Sequence, residues 1–115
     1  IIVPGAVEDV RPWLIGCGGL VFASLYEGFG LPILEAFASG VPVITSDCSS
    51  MPEVAGDAAI LVDPQNTDSI AAGITKFCND PESTGQLVNR GYQRLDVFSW
   101  RRTAEKTMEL YQKLV

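Results

Sequence analysis

Three short, almost unbroken apolar runs, LVFA (20–23), VPVIT (41–45) and AILV (59–62), recur through the first half of the chain, and a fourth, IIV, stands at residues 1–3. Runs this short and this apolar suit strands covered on both faces, which is the environment of a parallel sheet with helices on either side. The segments between them have helical character. EDVRPWLIGCGG predicts a short helix with Asp9 as N-cap, Pro12 tolerated in the first turn and glycines at its end. LPILEAFASG predicts a second, with Pro32 at the first helical position, Ile33, Leu34, Ala36 and Phe37 on the buried side, and Gly40 in the left-handed position after the last turn. Beyond AILVDP the pattern becomes wholly helical. NTDSIAAGITKFCND offers Thr67 as cap, with Ile70, Ile74, Phe77 and Cys78 at helical spacing. PESTGQLVNRGYQRLDVF reads as a helix weakened by Gly85 and Gly91. SWRRTAEKTMELYQKLV opens on Ser99 as N-cap and carries Trp100, Ala104, Thr107, Met108, Tyr111 and Leu114 on one stripe. The expected fold is therefore α/β: a Rossmann-like, doubly wound parallel sheet with flanking helices, followed by C-terminal helices.

A length of 115 residues suits one compact domain. The chain opens on Ile1, already inside an expected strand, so it reads as a piece of a longer polypeptide. An uncovered sheet edge would then favour self-association of the isolated chain. No apolar run approaches the roughly 20 residues of a membrane span, and no secretory leader pattern is present. Cys17, Cys48 and Cys78 are odd in number and widely spaced, so they read as small buried hydrophobes in a cytoplasmic setting, with peripheral contact at the inner membrane face as an added option. The absence of histidine excludes a Ser-His-Asp triad and imidazole metal ligands within the chain.

Charge is unevenly spread. Residues 1–75 hold nine acids against the single base Arg11, a net of −8, whereas residues 76–115 hold seven bases against five acids, a net of +2. Nucleic acid is not an expected partner, because backbone phosphates call for a basic stripe that the body of the domain lacks. A phosphate held by residues 1–75 must be held chiefly by backbone N–H groups. The bases on the last helix read as a solvated face, with Arg101–Glu105 and Glu109–Lys113 as pairs four apart.

In doubly wound sheets ligands sit beyond the carboxyl ends of the strands, where loops enter helix N-termini. SLYEGFGLPILEAFASG (24–40) follows an expected strand in this way. Gly28 and Gly30 permit close backbone approach, and the helix starting near Leu31 offers unpaired N–H groups and a partial positive charge suited to a phosphate. Glu35 falls in the first helical turn, its side chain leaning back toward that edge, where a carboxylate suits a pair of hydroxyls such as a ribose diol. Glu27, in the loop, could accept hydrogen bonds from sugar hydroxyls or oppose a developing positive charge.

Those residues carry a resemblance. EGFGLPILEAFASGVPVITSD followed by MPEVAGDAAILVDP is similar to the donor-binding, C-terminal half of retaining nucleotide-sugar glycosyltransferases of family 4 (glycosyl transferases group 1), which have the GT-B fold. The likeness runs from VPGAVEDV to FSW. It implies that Glu27 contacts the donor sugar as the catalytic carboxylate and that Glu35 holds the ribose. Backbone N–H groups of Gly28, Phe29, Gly30 and Leu31 would hold diphosphate and sugar, with Val3 and Pro4 near the nucleobase. The implied reaction moves a hexosyl group, of mannose or glucose type, from a nucleotide-diphosphate sugar to a glycan, lipid-linked or small-molecule acceptor, with no metal or other cofactor.

The pattern departs from that family in two respects. Ala23 stands where a proline commonly precedes the loop serine, and the upstream Arg and Lys that hold donor phosphates have no counterpart in residues 1–115. With the acceptor domain and the first βα units likewise outside the chain, residues 1–115 are expected to be a donor-binding domain fragment that is inactive alone and completed by an N-terminal domain of the same polypeptide. Other readings remain: a glycosidase pair, a non-catalytic nucleotide-binding or docking module, or another GT-B sugar enzyme such as a phosphorylase or epimerase. A retaining glycosidase needs its two carboxyls facing each other across about 5 to 5.5 Å, which a shared loop and helix edge does not suggest.

Overall fold

A computed structural model describes residues 1–114. Its elements run α1 (Arg11–Gly16), β1 (Leu20–Phe22), α2 (Leu31–Ala38), β2 (Val43–Ser46), α3 (Met51–Ala55), β3 (Ala59–Val62), α4 (Thr67–Asn79), α5 (Pro81–Leu95) and α6 (Trp100–Leu114). Among the described residues the sheet is parallel with strand order β1-β2-β3, Val43 lying opposite Leu20 on one side and Ala59 on the other. Central β2 is buried at every position, while β1 and β3 are partly exposed, as edges must be. This is the Rossmann-like α/β arrangement the alternation of runs predicts.

Successive strand residues face opposite sides, so the two faces of β2 sort its neighbours. Val43 joins Ile33, Ala36, Phe37, Met51, Val54 and Ala55 in the main core beneath α2 and α3. Ile44 faces α4 instead, where Gly73 lies close enough that an added Cβ would stand 2.6 Å from Val62 Cγ1. Gly91 does the same for α5 against α2. A Cβ there would meet Phe37 Cδ1 at 2.7 Å. The residue read as weakening α5 is thus the one that lets it lie directly on the core.

Helix starts follow local hydrogen bonding. The cap of α4 is Asn66, one residue earlier than expected: its backbone is extended, and its Oδ1 accepts from the N–H groups of Asp68 and Ser69 at 3.0 and 3.2 Å. Four cap-competent residues stand in a row there, and backbone geometry selects among them. Ser99 caps α6 as expected, its Oγ accepting from Arg102 N–H at 3.2 Å. The cap position of α1 is Val10, with Asp9 one residue before it.

Asp9 nevertheless accepts from the Arg11 N–H at 3.0 Å and from its guanidinium at 2.8 Å. That hydrogen-bonded pair holds the Asp9 carboxyl down from 3.8 to about 2. Because the folded value lies below the unfolded one, the contribution is complete above about pH 4 and disappears as pH falls through 2. Arg11→Gln is expected to return the Asp9 midpoint toward 3.8 in a carboxyl NMR titration; a midpoint still near 2 would rule out the pair as its cause.

Four expectations are corrected. Ile1–Val3 form no strand and stand exposed, because no described neighbour pairs with them and an apolar triplet cannot hydrogen-bond alone. Cys17 and Cys78 are exposed and Cys48 is only half-buried; the Cys17 and Cys48 thiols donate to the carbonyls of Leu14 and Leu25 at 3.2 and 3.5 Å. The stripe on α6 is not packed: no residue of α6 is buried among those described, and Trp100 is 84% exposed. The ion pairs four apart on α6 do not close; those formed among the described residues are Arg11–Asp9 and Arg90–Asp57. No helix among the described residues is long and apolar enough to cross a membrane.

Candidate functional site

The loop from Ser24 to Gly30 leaves the carboxyl end of β1 and enters α2, beside the loop that leaves β2. Side chains at the end of β2 and in the loop after it hold the end of β1 and its loop. Thr45 Oγ1 donates to Phe22 O at 2.8 Å and Ser46 Oγ to Ser24 O at 2.6 Å. Thr45 and Ser46 are both completely buried, which a threonine and a serine can be only because those hydroxyls are satisfied. Further along, Ser49 Oγ donates to Glu27 O at 2.9 Å and accepts from Glu27 N–H at 3.2 Å. Ser50 Oγ shares its proton between Glu27 O and Phe29 O, at 2.9 and 2.8 Å.

Glu27 is therefore fixed along its backbone, and Ser24 Oγ donates to its Oε1 at 2.9 Å. The side chain is half-buried. Gly30 takes the N-cap position of α2 in the left-handed region, φ 104°, where a non-glycine residue would be strained. No side chain among the described residues caps this end of α2; Pro32 has no N–H and Ile33 N–H goes to Gly30 O, which leaves the Leu31 amide available. Glu35 is the fifth residue of α2, one residue further in than expected, because the helix starts at Leu31 and not at Pro32. It shares a face with Leu31, is exposed, and leans back toward the same edge.

The structure thus brings together Glu27, Gly28, Phe29, Gly30, Leu31 and Glu35. Val3 and Pro4 lie exposed in the irregular segment ahead of α1 and do not line the groove beside the loop. That groove, about 590 Å³, runs from Phe29 and Leu31 to the start of α6 and includes Arg94, Phe98, Arg102 and Lys106. Cations from the basic end of the chain therefore come close to a loop that has none of its own. Arg94 is already committed: Nε donates to Val54 O at 3.0 Å, a terminal nitrogen to Glu53 O, and the guanidinium lies over the Phe98 ring. Phe98 in turn meets Phe29 edge-on, with centroids 5.5 Å apart. Sequence reasoning did not single out Ser46, Ser49, Ser50, Arg94 or Phe98. The polar cluster SDCSS, which begins with the last residue of β2, was the one available sign of the serines.

A profile of the glycosyl transferases group 1 family matches residues 1–94, the stretch that contains every strand and the whole candidate loop. The chain belongs to this glycosyltransferase family. It is 43% identical over 107 residues to O-antigen chain mannosyltransferase B of Escherichia coli, covering 93% of this chain and 28% of that protein. It is 38% identical over 112 residues to MMP alpha-(1->4)-mannosyltransferase of Mycolicibacterium hassiacum, covering 94% and 27%. Among solved structures, sucrose-phosphate synthase from Thermosynechococcus elongatus superposes with a TM-score of 0.78 at 30% identity, covering 91% of this chain and 27% of that one. The chain thus spans just over a quarter of the length of these relatives, and its fold belongs to the C-terminal Rossmann-like half of a GT-B architecture.

Proposed function

We propose that this chain forms the nucleotide-sugar donor site of a retaining hexosyltransferase, with a donor sugar of mannose or glucose type. The observation that carries the reading is the loop between β1 and α2, tied down on its carbonyl side and leading into a helix whose N-terminus no described side chain caps. Membership of the family and the mannosyltransferase names of two relatives support it. In this reading the amides of Gly28 to Leu31 hold the diphosphate and the sugar, and Glu35 accepts from the ribose hydroxyls. Glu27, oriented by Ser24 and Ser49, faces the sugar and opposes positive charge as the glycosidic bond breaks. The diphosphate leaves toward the α2 N-terminus, and the acceptor arrives on the same face, which retains the anomeric configuration.

Val3 and Pro4, exposed ahead of α1, remain the proposed nucleobase neighbours, while the reading stands on the loop and the two glutamates. Among the described residues no group of three or more Cys, Asp or Glu side chains could hold a metal. Transfer without a metal is part of the same proposal. Residues 1–115 alone are expected to transfer no sugar, because acceptor binding requires the remainder of a protein of the relatives' length.

The deciding experiment is calorimetry of UDP, GDP and ADP on the full-length protein. One of them is expected to bind saturably, with Glu35→Ala weakening it about tenfold, the scale of a charged hydrogen bond. Transfer in EDTA with an unchanged anomeric configuration, read by NMR, completes the test. No binding of any of the three would favour a non-catalytic docking module instead.

A further inference from the structure

Ser50 stands at the N-cap position of α3, where a serine hydroxyl ordinarily accepts from the second or third helical N–H. It does not do so here. Its backbone is helical, φ −82° and ψ −16°, it makes no capping bond, and its hydroxyl proton goes to the carbonyls of Glu27 and Phe29, more than twenty residues back in the chain. Ser49, beside it, is the one non-glycine residue among those described with positive φ, at 57°. A left-handed backbone is strained for a serine. That conformation coincides with the placement of its hydroxyl between the N–H and C=O of Glu27. Two residues thus forgo their ordinary local arrangement to hold the same loop.

The consequence follows from peptide geometry. In a planar trans peptide the C=O of one residue and the N–H of the next point in opposite directions. With Glu27 O and Phe29 O both drawn toward Ser49 and Ser50, the N–H groups of Gly28 and Gly30 are both aimed away from the serine loop. Neither amide has an acceptor among the described residues. Ile33 N–H donates to Gly30 O at 3.0 Å, so the Leu31 amide likewise turns back out of the helix. Three amides from one short segment are thereby oriented before any ligand arrives.

We propose that Ser49 and Ser50 are positioning residues of the donor site, setting the direction of the Gly28 and Gly30 amides that receive the anionic diphosphate-sugar linkage. The proposal rests on the donor-site reading above. It assigns the serines no contact with the donor; they act through the peptide groups they hold. The gain is preorganisation: amides already aligned give up less freedom on binding than amides of a loose glycine loop.

The test is the ratio of nucleoside diphosphate affinity to nucleoside affinity in the full-length protein. It is measured by competition with UDP over uridine, GDP over guanosine and ADP over adenosine. Ser50→Ala is expected to lower the ratio for the favoured base about tenfold and leave nucleoside affinity unchanged, and Ser50→Thr, which keeps a hydroxyl, to restore it. A general structural defect would instead weaken nucleoside and diphosphate together. Ser49→Gly covers the case in which Ser50→Ala fails to fold. Glycine takes the left-handed backbone without strain, so the thermal midpoint holds or rises while the ratio still falls. An unchanged ratio in Ser49→Gly, or a loss in Ser50→Ala that Ser50→Thr does not repair, overturns the assignment of the serines and leaves the donor site standing. Failure of the wild-type protein to bind any of the three diphosphates overturns the donor reading, and this assignment with it.

Discussion

Replacing Glu27 with alanine in the full-length protein is expected to lower kcat about a hundredfold, with a much smaller change in KM for the donor. A group that opposes charge present only as the glycosidic bond breaks contributes to the transition state and little to the ground state. Preorganised electrostatic groups of this kind are typically worth about 10² to 10³ in rate. Glu27 meets the structural requirement: Ser24 Oγ holds one carboxylate oxygen at 2.9 Å, and Ser49 holds the backbone on both sides. Glu27→Gln keeps the shape and the hydrogen bond while removing the charge, so it should fall close to the alanine variant. A rise in KM with kcat intact would make Glu27 a binding residue only; parity of glutamine with wild type would remove charge from its role.

Phe37→Ala should have the largest effect on stability. The ring is 1% exposed and lies among Ile33, Val43, Met51 and Val54 beneath α5. Truncating a phenylalanine so enclosed costs about 3 to 5 kcal/mol, a large share of the 5 to 15 kcal/mol typical of a whole domain. Urea denaturation would show it as a fall in midpoint at unchanged slope. The partner across the contact gives a sharper test. Gly91→Ala should gain up to about 1 kcal/mol from helix propensity, yet its Cβ would stand 2.7 Å from Phe37 Cδ1, and overpacking of this kind costs about 1 to 3 kcal/mol. The single variant is therefore expected to destabilise, and the same change in a Phe37→Ala background to stabilise. Additive effects in the double-mutant cycle would mean that α5 does not rest on α2 at this point.

The elements most legible in the sequence were those whose signals are local. The apolar runs LVFA, VPVIT and AILV placed the three strands to within a residue or two, and Gly40 takes the left-handed conformation that the end of α2 required. Ser99 declared the start of α6 for the same reason. Long-range partnership was not legible. IIV has the composition of a strand and no strand to pair with among residues 1–114. Gly91 looked like a flaw in a helix until Phe37 appeared opposite it. The α6 stripe is amphipathic, yet amphipathicity states a need for a partner without supplying one.

The candidate site divides along the same line. Glu27, Glu35 and the glycines belong to one contiguous segment, so pattern alone could collect them. The serines that orient that segment lie on the loop after the next strand, joined to it only because β1 and β2 are parallel neighbours. A parallel pair sends both carboxyl ends to the same edge, and that topology, invisible in either loop alone, lets SDCSS reach the carbonyls of SLYEGFG.

Arg94 closes a circuit through these parts. Its guanidinium binds carbonyls of α3 and covers Phe98; Phe98 meets Phe29 in the loop; the loop returns through Ser50 to the start of α3. Mechanically this is a truss, not a hinge. Each member is braced from two directions, so stiffness at the glycines belongs to the ring as a whole, and a loop with two glycines acquires the rigidity of the scaffold around it.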